Sequence, residues 1–237
     1  LACRTCLRVL WDEPPGDMGA ATFARVLAGL RACAPAPAVS FGGIGEPLAH
    51  PHIVEMVAAA AALGAPTELI TNGTLLTRRR ARALVEAGLG VLWVSLDGAT
   101  PASYADVRLG AALPGVLANV ARLRDLRDAL GCAAPEIGVV FVAMRRNIAD
   151  LPAVLRLGRE VGATRFMVTN VLPYSPAMCG EVLYARALCN GDYGPLPDLP
   201  GLRLPKLDRQ WAASELLREA VSAVSPPERG MFRPVND

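Results

Sequence analysis

Short apolar runs alternate along the chain with longer segments in which apolar residues recur every three or four positions. Five such runs end in corners rich in glycine, asparagine or aspartate, and they cover residues 39–41, 68–71, 91–96, 137–144 and 165–170. The amphipathic segments cover residues 21–32, 53–63, 77–87, 113–130 and 151–161. Thr77 and Asp150 stand where helix N-caps are expected. The alternation is typical of βαβ units, and near-continuously apolar strands are typical of a parallel sheet covered on both faces.

The order of these elements predicts an α/β fold, a partial (β/α)6 TIM-like barrel that lacks its first strand. The first helix has no strand before it, although a right-handed βαβ crossover requires one. Beyond residue 170 the alternation gives way to a stretch dense in proline and glycine, followed by one helix predicted over residues 210–224. We therefore expect a core over residues 1–170. Residues 171–237 are expected to form an irregular C-terminal arm or linker that leads to a further domain outside this chain.

The composition of the chain narrows the class of protein. Its 237 residues are 52% hydrophobic and 19% charged with a net charge of +2, which suits a globular protein and gives no electrostatic reason to expect nucleic acid. The apolar stretch 53–63 is too short to span a bilayer, and the first residues lack the pattern of a secretion signal. We therefore expect a cytoplasmic protein with no membrane partner.

The cysteines point to metal or redox chemistry. Six cysteines are too few and too irregularly spaced for a disulfide scaffold, but Cys3 and Cys6 form a C-x2-C ahead of the first predicted helix. Two thiolates at this spacing can ligate one metal centre. The spacing alone fits an iron–sulfur site, half a zinc site, a redox pair or two ordinary apolar cysteines, and these alternatives remain open at this point.

Further candidate chemistry follows the predicted strands, because loops at the carboxyl ends of parallel strands converge on one mouth. In the corner over residues 41–47 the glycines expose backbone to a ligand, and Glu46 can accept a hydrogen bond from a cationic amine. Other corners lie at residues 71–73, 95–98 and 145–147. Each of these alone is compatible with a simple turn, because Asn-Gly and Asp-Gly are common turn formers.

The ordered set of CxxC, GxGEP, TNG and SLDG, with Arg108 downstream, resembles the radical S-adenosylmethionine (radical SAM) enzymes over about residues 1–170. The resemblance implies that Cys3 and Cys6 are the second and third cysteines of a C-x3-C-x2-C loop, whose first cysteine would lie two residues before Leu1. It implies a [4Fe–4S] cluster whose fourth iron binds the amino and carboxylate groups of SAM. Reductive cleavage of SAM then gives methionine and a 5′-deoxyadenosyl radical, which abstracts a hydrogen from the substrate. Without the first cysteine, this chain is expected to bind the cluster poorly.

The same resemblance implies a set of SAM-binding residues after the first three strands. The motif that engages the methionine amine is matched by Gly43, Gly45 and Glu46, strand ends that face the cofactor are matched by Asn72 and Ser95, and a residue that reaches its polar groups is matched by Arg108. One position departs from the family, because Thr5 stands where an aromatic residue usually contacts the adenine. The adenine contacts are therefore not predicted.

Residues 168–188 are similar to maturases associated with tungsten-cofactor oxidoreductases, and related maturases carry a C-terminal cysteine-rich extension. The implied function is maturation of a peptide or metal cofactor, with a peptide or cofactor-precursor substrate and an electron donor such as a flavodoxin or ferredoxin. Two alternatives remain: an α/β protein that binds phosphate and uses CxxC as a zinc or redox site, and an inactive scaffold. Glu46 argues against phosphate, because a carboxylate repels it.

Overall fold

The computed structural model describes residues 1–14, 16–172 and 175–183. Within these residues five parallel strands form one sheet in the order β1-β2-β3-β4-β5. The strands are β1 Val39–Phe41, β2 Thr67–Thr71, β3 Val91–Ser95, β4 Glu136–Ala143 and β5 Arg165–Asn170. The helices are α1 Ala20–Arg31, α2 Ile53–Ala61, α3 Arg78–Glu86, α4 Pro101–Val107, α5 Leu113–Ala129, α6 Leu151–Glu160 and α7 Pro176–Cys179.

The predicted α/β fold is confirmed, and each predicted strand lies within one residue of its observed bounds. The five predicted helices agree to within two residues, whereas α4 and α7 were not predicted. The helix predicted over residues 210–224 lies outside the described residues. No helix in the described ranges is long and apolar enough to cross a membrane.

The N-caps predicted for two helices have different outcomes. Thr77 caps α3, since its hydroxyl oxygen accepts a hydrogen bond from Arg80 N–H at 3.3 Å. Asp150 occupies the N-cap position of α6 as predicted, but its side chain makes no capping hydrogen bond to that helix. Its carboxylate instead accepts from Ala99 N–H at 3.0 Å and thereby ties the loop after β4 to the loop after β3.

The sheet is buried on both faces along its central strands β3 and β4, as is usual for parallel strands. One face packs against the helices through the main core, to which Leu69, Leu92 and Phe141 contribute. The opposite face holds a smaller cluster around Trp93, whose indole N–H donates to Glu68 Oε2 at 3.1 Å. Trp93 is therefore a core residue of this second face.

Two segments lie over the carboxyl edge of the sheet: helix α4, which follows β3, and residues 175–183, which follow β5. Helix α4 starts in a capping box formed by Thr100 and Ser103 and ends at Val107, which is fully buried. Val107 packs in a separate apolar cluster with Met144, Val171, Met178 and Val182. Residues 175–183 therefore lie against the loops that follow β3 and β4.

Candidate functional site

Cys3 and Cys6 are both free thiols in one short turn. Cys3 is buried and Cys6 is half-buried, and the Cys6 N–H donates to the Cys3 carbonyl at 3.1 Å. Of the other described cysteines, Cys33, Cys132 and Cys179 are exposed. Among the described cysteines, the predicted pair is therefore the less exposed one.

Backbone hydrogen bonds fix the turn against the end of α4. Ala2 N–H donates to Leu109 O at 3.2 Å, and Arg4 N–H donates to Val107 O at 3.0 Å. The two bonds lie on either side of Cys3. The position of Cys3 is thus set by backbone as well as by side chains.

A chain of ion pairs joins this turn to the segment that follows β5. Arg4 donates to Asp106 O at 2.6 Å and to its Oδ1 at 3.2 Å, and Arg146 pairs with the same carboxylate at 2.8 Å. Arg146 also pairs with Glu181 at 2.7 Å. Each ion pair lies partly in solvent and contributes about 0–1 kcal/mol to stability alone. The main effect of these linked ion pairs is therefore to orient the two segments relative to each other.

Arg108 links the cysteine turn to the end of β3. Its Nε donates to Asp97 Oδ2 at 2.6 Å, its Nη2 lies 2.5 Å from the same oxygen, and its Nη1 donates to Cys3 Sγ at 3.8 Å. The side chain of Asp97 is fully buried and that of Arg108 is 11% exposed. Burial alone would lower the pKa of Arg108, but the Asp97 carboxylate, with smaller contributions from Cys3 and Tyr104, outweighs it and raises that pKa.

Asp97 also joins the corner after β3 to the corner after β4. Its Oδ1 accepts from Val142 N–H at 2.7 Å. The buried Asn147 amide donates to Asp97 O and Val142 O, each at 3.0 Å, and its oxygen accepts from Met144 N–H at 2.8 Å. The predicted convergence of these two corners is present, and these polar groups hold it together.

Tyr104 lies one helical turn before Arg108 and is fully buried. Its hydroxyl has no hydrogen-bond partner in the described part of the chain. Burial raises the pKa of Tyr104 to about 12, with Arg108 opposing and Asp97 and Cys3 adding to the shift. The hydroxyl therefore stays protonated at physiological pH, beside the cysteine turn.

The corners after β1 and β2 meet at Glu46. Its Oε1 accepts from the Thr71 hydroxyl at 2.6 Å and from Leu48 N–H at 3.1 Å, while its Oε2 accepts from Asn72 N–H at 2.9 Å. A carboxylate offers about four acceptor positions, so one remains for a ligand. Glu46 is half-buried and thus both a tie between two loops and a candidate anion for a cationic group.

The remaining predicted residues occupy the same edge with different surroundings. Gly43 and Gly45 are exposed with open space around them, and Gly43 has a φ of 115° that favours glycine. The Asn72 side chain is engaged locally, since its oxygen accepts from Thr74 N–H at 2.9 Å. Ser95 is buried, and its hydroxyl makes no hydrogen bond to the described residues.

The structure brings Cys3 to Arg108 and Glu46 to Asn72, but no hydrogen bond joins these two groups in the described ranges. Asp97, Thr71 and Tyr104 were not predicted as site residues. The only sequence signal for Asp97 was an Asp-Gly corner, which is also that of an ordinary turn. The surroundings of all three side chains are set by tertiary contacts rather than by spacing along the chain.

Residues 2–134 match the Radical SAM superfamily. The match covers more than half of the chain, and the chain therefore belongs to this superfamily. Its members use a [4Fe–4S] cluster and SAM. Membership decides against the alternative of an unrelated phosphate-binding or zinc α/β protein.

Two kinds of curated relative are similar to this chain. The tungsten-containing aldehyde ferredoxin oxidoreductase cofactor-modifying protein of Pyrococcus furiosus is 32% identical over 185 residues, which cover 78% of this chain and 52% of that protein. The PqqA peptide cyclase of Gluconobacter oxydans is 34% identical over 136 residues, which cover 57% of this chain and 36% of that protein. The chain thus spans about half the length of the first and about a third of the second.

Solved structures with the same fold are more distant in sequence. Streptococcus suis SuiB bound to S-adenosylmethionine has a TM-score of 0.61 at 16% identity, covering 76% of this chain and 39% of that chain. The structure of anSMEcpe with bound AdoMet and a Kp18Cys peptide has a TM-score of 0.54 at 18% identity, covering 72% of this chain and 47% of that chain. These likenesses support the partial TIM-like barrel.

The residues at the edge fit the cluster that the family uses. Cys3 and Cys6 are free thiols in one turn, and thiolates are the ligands that iron–sulfur clusters take in proteins. The Arg108 cation lies against one of these sulfurs, with its Nη1 3.8 Å from Cys3 Sγ. The described residues contain no group of three metal-ligating side chains, so within them the site supplies two ligands.

Proposed function

We propose that this chain is the SAM-binding core of a radical SAM maturase that acts on a peptide or on the precursor of a metal cofactor. One observation carries the proposal: the free thiols of Cys3 and Cys6 stand in a turn that backbone hydrogen bonds fix beside the buried Asp97–Arg108 pair, in a chain of this superfamily. When bound, the cluster supplies the electron that cleaves SAM to methionine and a 5′-deoxyadenosyl radical.

Different residues of the chain would bind the cluster and SAM. Cys3 and Cys6 would hold two irons of the cluster, with the third protein thiolate contributed from outside the described residues. Glu46 would accept from the methionine amine through its remaining acceptor position. Gly43 and Gly45 leave the approach to that carboxylate open, and the Ser95 hydroxyl is available to face SAM.

The substrate class is inferred from the relatives. One relative is named for modifying a tungsten enzyme's cofactor, and the other for cyclising the peptide PqqA. We assign this chain a substrate of one of these two kinds, and an electron donor such as a flavodoxin or ferredoxin. We place the SAM-binding core in residues 1–170, the arm toward a further domain in residues 171–237, and the protein in the cytoplasm, where free thiols persist.

The test uses the full-length protein, reconstituted anaerobically with iron and sulfide. We expect about four irons per chain at this site, and formation of 5′-deoxyadenosine when SAM and a reductant are added. Iron and sulfide are quantified, and 5′-deoxyadenosine is measured by liquid chromatography. A protein that takes up no cluster, or that holds one and makes no 5′-deoxyadenosine, would instead be an inactive scaffold.

Replacing Glu46 with glutamine tests its role toward SAM. The amide keeps the shape but presents N–H to one of the donors that Glu46 now accepts from, and the methionine ammonium loses its anion. A hydrogen bond to a charged group contributes about 1.5–3 kcal/mol, so we expect SAM to bind roughly tenfold to a hundredfold more weakly. Calorimetric titration of the cluster-loaded protein with SAM measures this change.

The matched control is Glu68→Gln, because Glu68 lies on β2 and accepts from the Trp93 indole, away from the carboxyl edge. We expect its SAM affinity to equal that of the parent. Equal SAM affinities for Glu46→Gln and the parent would remove Glu46 from the SAM site and leave it only the role of joining two loops.

A further inference from the structure

We propose that Arg108 is a positioning residue for the cluster, which donates a hydrogen bond to the Cys3 thiolate and thereby raises the reduction potential of the cluster. This inference rests on the proposed function, because it takes Cys3 as a cluster ligand. It differs from the role implied by the sequence resemblance, in which Arg108 reaches the polar groups of SAM.

The backbone places Cys3 and Arg108 opposite each other. The residues on either side of Cys3 donate their N–H groups to the carbonyls on either side of Arg108, at 3.2 and 3.0 Å. Cys3 and Arg108 are thus held beside each other between these two bonds. The contact between Nη1 and Sγ at 3.8 Å therefore follows from the fold and does not depend on a freely rotating side chain.

Asp97 leaves Arg108 little freedom to turn elsewhere. Nε and Nη2 of the guanidinium both contact Asp97 Oδ2, and the carboxylate is itself fixed by Val142 N–H. A guanidinium is a rigid planar fork, so fixing one edge also fixes the direction of Nη1. With Asp97 fully buried and Arg108 only 11% exposed, water does not compete strongly for these donors.

A donor and a positive charge at a ligand sulfur have a defined effect on an iron–sulfur cluster. Reduction adds negative charge to the cluster, and hydrogen bonds to its sulfurs and nearby charge set its potential. Because Arg108 lies in a poorly solvated place, its interaction is less screened than that of a surface arginine. Loss of the donor is therefore expected to make the cluster harder to reduce.

The test compares three variants of the reconstituted full-length protein: Arg108→Gln, Arg108→Lys and Arg4→Gln. The midpoint potential of the cluster is measured by redox titration followed by electron paramagnetic resonance. We expect Arg108→Gln to shift the reduced-to-oxidised ratio at least about tenfold toward the oxidised form, equivalent to about 59 mV for a one-electron couple. Arg108→Lys should shift it less in the same direction, since an ammonium cannot hold both partners in this geometry.

Arg4→Gln is the control for charge, because it removes an arginine beside Cys3 that contacts Asp106 and neither thiol. Its potential should move clearly less than that of Arg108→Gln; equal shifts, or none in Arg108→Gln, overturn the proposal. If Arg108→Gln does not fold, Arg108→Lys decides, and a potential equal to that of the parent overturns the proposal. If the parent itself takes up no cluster, the proposed function fails and this inference fails with it.

Discussion

Replacing Cys6 with alanine is expected to abolish cluster-dependent formation of 5′-deoxyadenosine by the reconstituted full-length protein. Changes to residues that merely support a metal ligand weaken metal binding by about tenfold to a hundredfold, and loss of a ligand itself should exceed that range. Cys6 is half-buried, and its thiol makes no hydrogen bond to the described residues. The fold should therefore survive while iron content and product are lost.

The control is Cys33→Ala, because Cys33 is an exposed thiol just past the end of α1 whose only described bond is a weak one to Gly29 O at 3.6 Å. We expect its iron content and 5′-deoxyadenosine to match those of the parent. Circular dichroism should be the same for both variants. A Cys6→Ala protein that keeps its cluster and its product would show that the ligand set had been misassigned.

The fold was largely predictable because its signal is local. The run at β3 is buried at every position, and β5 ends in Thr169 and Asn170, polar residues that favour a corner over a longer buried strand. Helix α4 was missed because seven residues give less than two turns of periodicity. Its one local signal was Thr100 followed by proline and then Ser103, the capping box that the structure contains.

The candidate site was predictable only in outline. Parallel strands bring their carboxyl ends to one edge, so the convergence of the corners followed from the fold class. The partners did not follow, because Glu46 meets Thr71 across 25 residues and Arg108 meets Cys3 across 105. The first pair depends on how β1 and β2 align in the sheet, and the second depends on where α4 ends relative to β3. No periodicity along the chain encodes either arrangement.

Replacing Asp97 with asparagine is expected to destabilise the protein by about 3–5 kcal/mol, because it leaves the buried Arg108 cation without its anion. Asparagine could still accept from Val142 N–H, but its amide would then direct N–H groups toward the guanidinium. The free energy of unfolding, measured by urea denaturation of the cluster-free protein, should fall by this amount. Because Asp97 also joins the corners after β3 and β4, the loss should reach beyond one ion pair.

The matched control is Asp106→Asn, since Asp106 also pairs with arginines near the cysteine turn but its side chain is 45% exposed. Exposed pairs contribute about 0–1 kcal/mol, so this variant should unfold close to the parent. Combining Asp97→Asn with Arg108→Gln should recover part of the stability, because the unpaired buried charge is then gone. If Asp97→Asn and Asp106→Asn lost equal stability, the buried pair would not be what holds the cysteine turn to the sheet, and the position of Cys3 would have to rest on its backbone hydrogen bonds alone.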